Sequence, residues 1–506
     1  MSLNSVPEDM TKNALLVLAA CGATVLNIFL NGALVVILPT IGKDLNMSEH
    51  ELQWPLNVYA LSYGCLLLLC GRLADITGSK CMFLLGTAWF ALWSIATALA
   101  PNSASLIIFV ALIGVGAAAN TPTAVGIFSS HFEPGEMRNH AITALGAGQG
   151  LGYVVGLILG GSLSQTTFGW RVIFYIQGAL AAFFVILGIL FVPSDRTERR
   201  YGKGVDWIGA SLSTIGVGLF CFILIQSTSL PQGWKTPWVA PLFVISLFIL
   251  VGFVLWEGYR ERKDKSVIMP LSIWMEPGTK LQPMIGLVFL AWASFNSLSY
   301  FLTLYLQQIN MLDQVSTAIR LIPVALSGLV VNVITGSLLG YISGRMLLSV
   351  GLLGSVAAPI IFALIDLNAS YWTTTFLVAV LVSFAEVAYT VGNLQVTVVF
   401  DEDSQALAGG IFNVATRLGT SFGLSLTTSI STAISRAYHE KHPEYDEQSP
   451  EVLMPGFRAG GWTCFVLALG GFIIALVGMR GVGVIGDKNG RGVIRLEEEF
   501  EEADAP

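Results

Sequence analysis

Apolar runs long enough to cross a bilayer, separated by short polar joints, make up almost the whole chain from residue 14 to residue 479. A hydrocarbon core of ~30 Å needs about 20 apolar residues per helix. Such runs stand near 14–39, 52–70, 81–100, 105–130, 139–164, 170–192, 205–226, 237–256, 282–308, 319–341, 346–365, 371–399, 409–434 and 458–479. They predict fourteen transmembrane helices and an all-α polytopic membrane protein. An even count puts both termini on one side. On that side fall Lys12, Arg72, Lys80, Arg138, the basic clusters at 196–203 and 260–265, Lys280, Arg345 and the basic residues after 479. Lys43, Arg171, Lys235, Arg320, Arg436, Lys441 and Arg458 fall on the other. The excess marks the first side as cytoplasmic. The sequons Asn46-Met47-Ser48 and Asn368-Ala369-Ser370 fall outside, where glycosylation acceptors belong, although in short loops.

The pattern also repeats. A shift of 267 residues lays Gly152 on Gly419 and Gly156 on Gly423, and brings the acidic stretch 133–136 near 401–403. A shift of 265 lays Gly71 on Gly336 and Lys80 on Arg345. Helices one to six thus echo nine to fourteen, as in transporters built from two six-helix halves. The expected organisation is a cytoplasmic N-terminal tail (1–13), a first half (14–192), linkers with inserted helices seven and eight (193–281), a second half (282–479) and a cytoplasmic acidic tail (480–506).

Composition agrees with a membrane protein: 54% of residues are hydrophobic, 12% are charged, and the mean hydropathy is +0.71. The six cysteines lie in apolar runs without paired or metal-like spacing and read as small buried hydrophobes. The net charge of −7 owes much to acidic residues between 497 and 504 and implies no nucleic-acid partner. The first apolar run is too long for a signal-peptide core and reads as a retained helix. Without a Ser/His/Asp set, a metal cluster or a Walker-type phosphate loop, neither an enzyme nor a nucleotide-driven pump is expected, and no cofactor or metal.

The joint Gly71-Arg72-Leu73-Ala74-Asp75-Ile76-Thr77-Gly78-Ser79-Lys80 reads as a short turn between two helices. Its glycines permit close approach, and its carboxylate can pair with a cation or with the positive end of a facing helix. It resembles the signature loop of the major facilitator superfamily, G-x-L-A-D-x-x-G-x-K/R. The resemblance implies a latch on alternating access formed by Gly71, Arg72, Asp75, Gly78 and Lys80. The stretch from Gln53-Trp54-Pro55 to Leu61 is similar to the fourteen-helix drug:proton antiporter branch, and Gly152-Tyr153-Val154-Val155-Gly156-Leu157-Ile158-Leu159-Gly160-Gly161 resembles its helix-five motif G-x-x-x-G-P-x-x-G-G. Gly152, Gly156, Gly160 and Gly161 are then expected to form a packing surface. Gly169-Trp170-Arg171, Asp206-Trp207-Ile208-Gly209 and the run from Asn413 to Gly419 are similar to further marks of the branch, and the 233–238 loop and the residues after Arg480 look like fungal members.

The departures matter. Leu157 replaces the motif's Pro, so no kink is imposed there. Ile76 stands where a basic residue usually follows the latch Asp. The first helix, which in the branch usually carries an intramembrane Asp, reads Leu30-Asn31-Gly32, and the usual Arg of the fourth helix is Val110. Both groups are linked to proton coupling in the family, so coupling does not carry over simply and facilitated diffusion stands as an alternative.

Helical spacing selects candidates for the solute cavity. Asn27 and Asn31 share a face of helix one, Trp292, Asn296 and Tyr300 a face of helix nine, and Glu386, Tyr389 and Asn393 a face of helix twelve. Asn120, with Thr121 and Thr123, forms the polar patch of helix four, and Asn413 and Arg417 share a face of helix thirteen. Each Asn could equally bridge helices, and Trp292 and Tyr300 could be packing or interface anchors. A charge at this depth costs roughly 2.5–3.5 kcal/mol and rarely persists unpaired. Glu386 and Arg417 are therefore either partners of each other or, for Glu386, the protonatable group within the membrane.

The expected protein is a monomeric secondary transporter of the plasma membrane, embedded in the lipid bilayer, that exports a small-molecule drug, toxin or secondary metabolite by proton-coupled alternating access. The alternative is an uptake carrier or uniporter for ammonium, borate or an organic acid. A transporter-shaped sensor is disfavoured by the shortness of the sequence after Arg480.

Overall fold

The computed structural model describes residues 6–47, 54–133, 136–164, 166, 168–194, 205–230, 232–276, 279–367, 370–400, 404–480 and 482–483. The sequon residues Asn368 and Ser48, the acidic stretch 401–403 and nearly all of the acidic tail lie outside the described residues. Asn46 is exposed in a left-handed conformation, φ 52°.

A chain this apolar must satisfy its backbone internally within lipid, and helices do so without partners. The described residues form fourteen long helices: α1 (Val6–Asp44), α2 (Trp54–Thr77), α3 (Ser79–Ala98), α4 (Ser103–His131), α5 (Glu136–Leu163), α6 (Arg171–Phe191), α7 (Trp207–Ser229), α8 (Val239–Glu261), α9 (Leu281–Leu304), α10 (Gln314–Leu338), α11 (Gly344–Ala363), α12 (Tyr371–Val399), α13 (Gln405–Lys441) and α14 (Pro450–Gly478). Several starts carry side-chain caps that satisfy first-turn N–H groups: Asn102 to Ser105 in α4, Asp206 to Gly209 in α7, Asp313 to Ser316 in α10 and Ser343 to Met346 in α11.

Among the described residues, thirteen of these helices are long and apolar enough to cross a membrane. The exception is α13, whose 37 residues are rich in Ser and Thr. Its residues from Gln405 to Thr416 are all buried inside the bundle, so it meets protein rather than lipid and needs no apolar surface there. The helices also outrun their apolar cores. The 71–80 stretch is mostly not a turn: α2 continues to Thr77 and the chain breaks only at Gly78, whose φ of 112° is a conformation glycine tolerates. Likewise α14 begins at Pro450, not 458. Hydropathy marks the lipid-facing part of a helix, whereas caps and glycines set its ends.

Small residues set the closest packing. A Cβ on Gly156 of α5 would lie 2.2 Å from the Phe29 carbonyl oxygen of α1, and one on Gly423 of α13 would lie 2.4 Å from that of Ala293 on α9. Gly152 and Gly160 press on α1 in the same row, while Gly161 faces only Val36 at 3.5 Å. With Leu157 in place of proline, α5 keeps this surface and its hydrogen-bond ladder.

Helix ends remote from the α2–α3 joint are tied in a similar way twice. Arg171 pairs with Asp44 at 2.5 Å and reaches the Ala100 carbonyl at 3.4 Å, and Arg458 pairs with Asp366 at 2.6 Å and reaches the Ile365 carbonyl at 2.9 Å. Hydrogen bonds from Arg171 and then Trp170 hold the Asp44 carboxyl below its ordinary value. α7 packs on α2 and α13, and α8 packs on α7 through one narrow row, Val239, Ser246, Phe253 and Glu257. Asp206 joins that pair, accepting from the Trp256 indole at 2.9 Å and pairing with Arg260 at 3.1 Å.

Candidate functional site

The end of α13 nearest the α2–α3 joint lacks a cap of its own, because Ser404 makes no side-chain capping bond. Asp75, in the last turn of α2, takes that place. Its two carboxylate oxygens accept from the backbone N–H groups of Ala406 and Leu407, each at 3.0 Å. A carboxylate on two orphan amides at a helix N-terminus is favourable both as a charge-assisted hydrogen bond and against the helix dipole. The close approach depends on Gly71, where a Cβ would lie 2.9 Å from the Ala406 carbonyl oxygen. The same end carries a second tie, since buried Arg138 of α5 donates to the Gln405 side chain at 3.4 Å. Lys80 anchors α3 differently, with Nζ donating to the carbonyls of Ile189 and Val192 at the end of α6. Arg72 is half-buried one turn before Asp75.

Deeper in the bundle, two polar groups face each other. On the α1–α2–α4 side, the Asn27 amide donates to Asn120 Oδ1 at 2.9 Å and to Thr121 Oγ1 at 3.0 Å. Tyr59 donates to the Asn27 carbonyl and Tyr63 to Thr121 Oγ1. On the α10–α12 side, Asn332 donates to Glu386 Oε2 at 3.2 Å and accepts from Thr390. Each side also meets a neighbour from a further helix. Gln149 of α5 donates to the Tyr389 hydroxyl, and the Arg417 guanidinium of α13 lies 4.5 Å above the Tyr63 ring of α2. Aromatic walls complete the region: Trp292 and Phe412 have ring centroids 5.0 and 5.1 Å from that of Tyr389.

The structure thus brings Asn27 with Asn120, and Trp292 with Tyr389. It does not bring Glu386 to Arg417; no ion pair joins them among the described residues, and each has a different neighbour. Asn31, Asn296 and Asn413 turn their amides back to carbonyls of their own helices, which leaves their oxygens for other partners. Asn393 is buried with its side-chain oxygen unmet. Tyr300 sits apart, 42% exposed and edge-on to Phe301. Sequence reasoning missed Tyr59, Tyr63, Gln149 and Asn332. The spacing of Tyr59 and Tyr63 by four in an apolar run, and the single Asn within α10, were the available signals.

An open cavity of about 740 Å³ lies elsewhere, at the end of α13 and α14 remote from Asp75, lined by Ile365, Asp366, Tyr438, Glu451 and Arg458 among others. The central region combines one carboxylate, one guanidinium, amides and aromatic faces, a set suited to a partly apolar organic solute.

Residues 20–424 match the family model of the Major Facilitator Superfamily. The chain is 30% identical to "MFS-type transporter 1" of Pyricularia oryzae, over 95% of this chain and 86% of that one. It is 24% identical to "Efflux pump terJ" of Aspergillus terreus (82% and 81%) and 24% identical to the "Low affinity ammonium transporter" of Saccharomyces cerevisiae (82% and 81%). The crystal structure of the human organic anion transporter MFSD10 superposes with a TM-score of 0.62 at 15% identity, covering 92% of this chain and 99% of that one, a likeness of fold alone. The helices, the matched family model and the relative at 30% identity agree, and the chain is a multi-pass membrane protein belonging to the Major Facilitator Superfamily.

Proposed function

We propose that this transporter exports small organic solutes across the plasma membrane by alternating access, driven by proton entry. The observation that carries the reading is the Asp75 clamp. It joins α2 of one bundle to α13 of the other at the end whose loops hold most of the lysines and arginines, which the positive-inside rule makes cytoplasmic. In this reading the structure is the state closed toward the cytoplasm, with both termini on that side, and opening there requires the two Asp75 bonds to break. The named efflux relative supports the outward direction. Asn27, Asn120, Trp292 and Tyr389 line the solute path, and Glu386, held by Asn332, carries the proton. Gly152, Gly156 and Gly160 keep α1 and α5 together while the bundles rock.

A second reading, an uptake carrier or uniporter for a small nutrient or ion, is favoured by Asn31 and Val110 at the places where the branch usually has its Asp and Arg, and by the relative named as an ammonium transporter. Everted vesicles separate the two. Solute uptake that requires an imposed proton gradient supports coupled export, and uptake indifferent to the gradient supports the second reading.

A further inference from the structure

We infer that the central site takes organic anions, with Arg417 as the fixed counter-charge for the solute's carboxylate or sulfonate; this rests on the transport reading of that site. Arg417 is a half-buried cation in the interior of the bundle, and among the described residues it has no carboxylate within ion-pairing distance. Its Nε is buried without a hydrogen-bond partner. Glu386, the carboxylate deep in the same region, is engaged by Asn332. The face of the guanidinium is covered by the Tyr63 ring of α2, which places this α13 side chain at the seam between the two helices.

A guanidinium stacked on a tyrosine is pre-oriented at little entropic cost, and an unmet N–H beside it is half of a fork that matches a carboxylate. A solute anion supplies the missing charge and the missing acceptor together. The Trp292, Tyr389 and Phe412 rings offer a wall for an aromatic or otherwise apolar body attached to that anion. The same fixed positive charge acts against cationic solutes, so it selects by repulsion as well as attraction.

The test is thermal unfolding of the purified full-length chain in detergent at neutral pH, with 1-naphthoate and indole-3-carboxylate as probes, their neutral amides as matched controls, and tetraphenylphosphonium as the cation. The carboxylates raise the unfolding midpoint and the amides and cation do not. Arg417→Gln weakens the apparent affinity for 1-naphthoate by about tenfold to a hundredfold, the range of a lost charge-assisted hydrogen bond. Arg417→Lys retains part of it, and the wild-type comparison of acid with amide stands even if Arg417→Gln does not fold. Amides that protect as well as acids, or a folded Arg417→Gln protein that still prefers acids, would overturn the inference. The transport reading fails separately: acids that bind but are not moved by the chain in proteoliposomes sink that reading and leave the anion site standing.

Discussion

Asp75 and Leu407 are 3.0 Å apart, carboxylate oxygen to amide nitrogen, across the junction of α2 and α13. With the matching bond to Ala406, one side chain of α2 caps α13, a helix 331 residues further along the chain. A charge-assisted hydrogen bond contributes about 1.5–3 kcal/mol. Asp75→Asn keeps one acceptor and loses the charge, so it should destabilise the closed end by about 1–2 kcal/mol, a shift of roughly 5- to 30-fold in the conformational ratio. Single cysteines placed near 405 in a cysteine-free background should label faster in that variant, and solute flux should fall. Unchanged labelling and unchanged flux would remove the latch role.

The α1–α5 seam makes a prediction about stability. Gly156→Leu has no room beside the Phe29 carbonyl and should cost about 1–3 kcal/mol or more by overpacking, seen as a lower unfolding midpoint in detergent. Gly161→Ala, whose new methyl meets only Val36 at 3.5 Å, should be close to neutral. Equal effects at the two positions would contradict the packing seen here.

The α10–α12 polar group makes a prediction about pH. If Glu386 carries the proton, Glu386→Gln should still bind solute but lose the dependence of transport on an imposed pH gradient. Asn332→Ala, which removes the amide 3.2 Å from the carboxylate, should move the midpoint of the transport–pH profile without abolishing transport. A Glu386→Gln protein with the wild-type pH profile would place the proton site elsewhere.

At the opposite end, Asp44 is held below its ordinary value by Arg171, so its contribution is present above the unfolded carboxyl value near 3.8 and lost as pH falls through the lower folded value. The stability difference between wild type and Asp44→Asn should therefore be flat from about pH 8 to 5 and shrink only below about pH 4. Both side chains are substantially exposed, so the difference should stay within about 1 kcal/mol. A difference that changes between pH 6 and 8 would assign it to another group.

Thirteen of the apolar runs and the glycine rows were legible in the sequence because each is a local pattern that lipid or a neighbouring backbone reads directly, whereas the run at 409–434 became α13, a Ser- and Thr-rich helix whose first turns are buried against protein. Asp75 was legible for the same reason, as an acid at a helix end between glycines. What it holds was not: Ala406 and Leu407 are ordinary apolar residues whose amides matter only because α13 begins there. Asn332 is a lone Asn in an apolar run, and nothing along α10 signals that Glu386 of α12 lies beside it. Cost alone left open whether Glu386 and Arg417 pair with each other, and the fold gives one an amide and the other a tyrosine face. Partners in different helices are set by packing that no single run encodes.

The most direct test of coupled export is an untargeted mass-spectrometric comparison of medium and cell extract with and without this chain, repeated after an ionophore collapses the proton gradient. The account predicts compounds that move from cells to medium only while the gradient stands. Compounds that accumulate inside, or that leave equally well without the gradient, would contradict it.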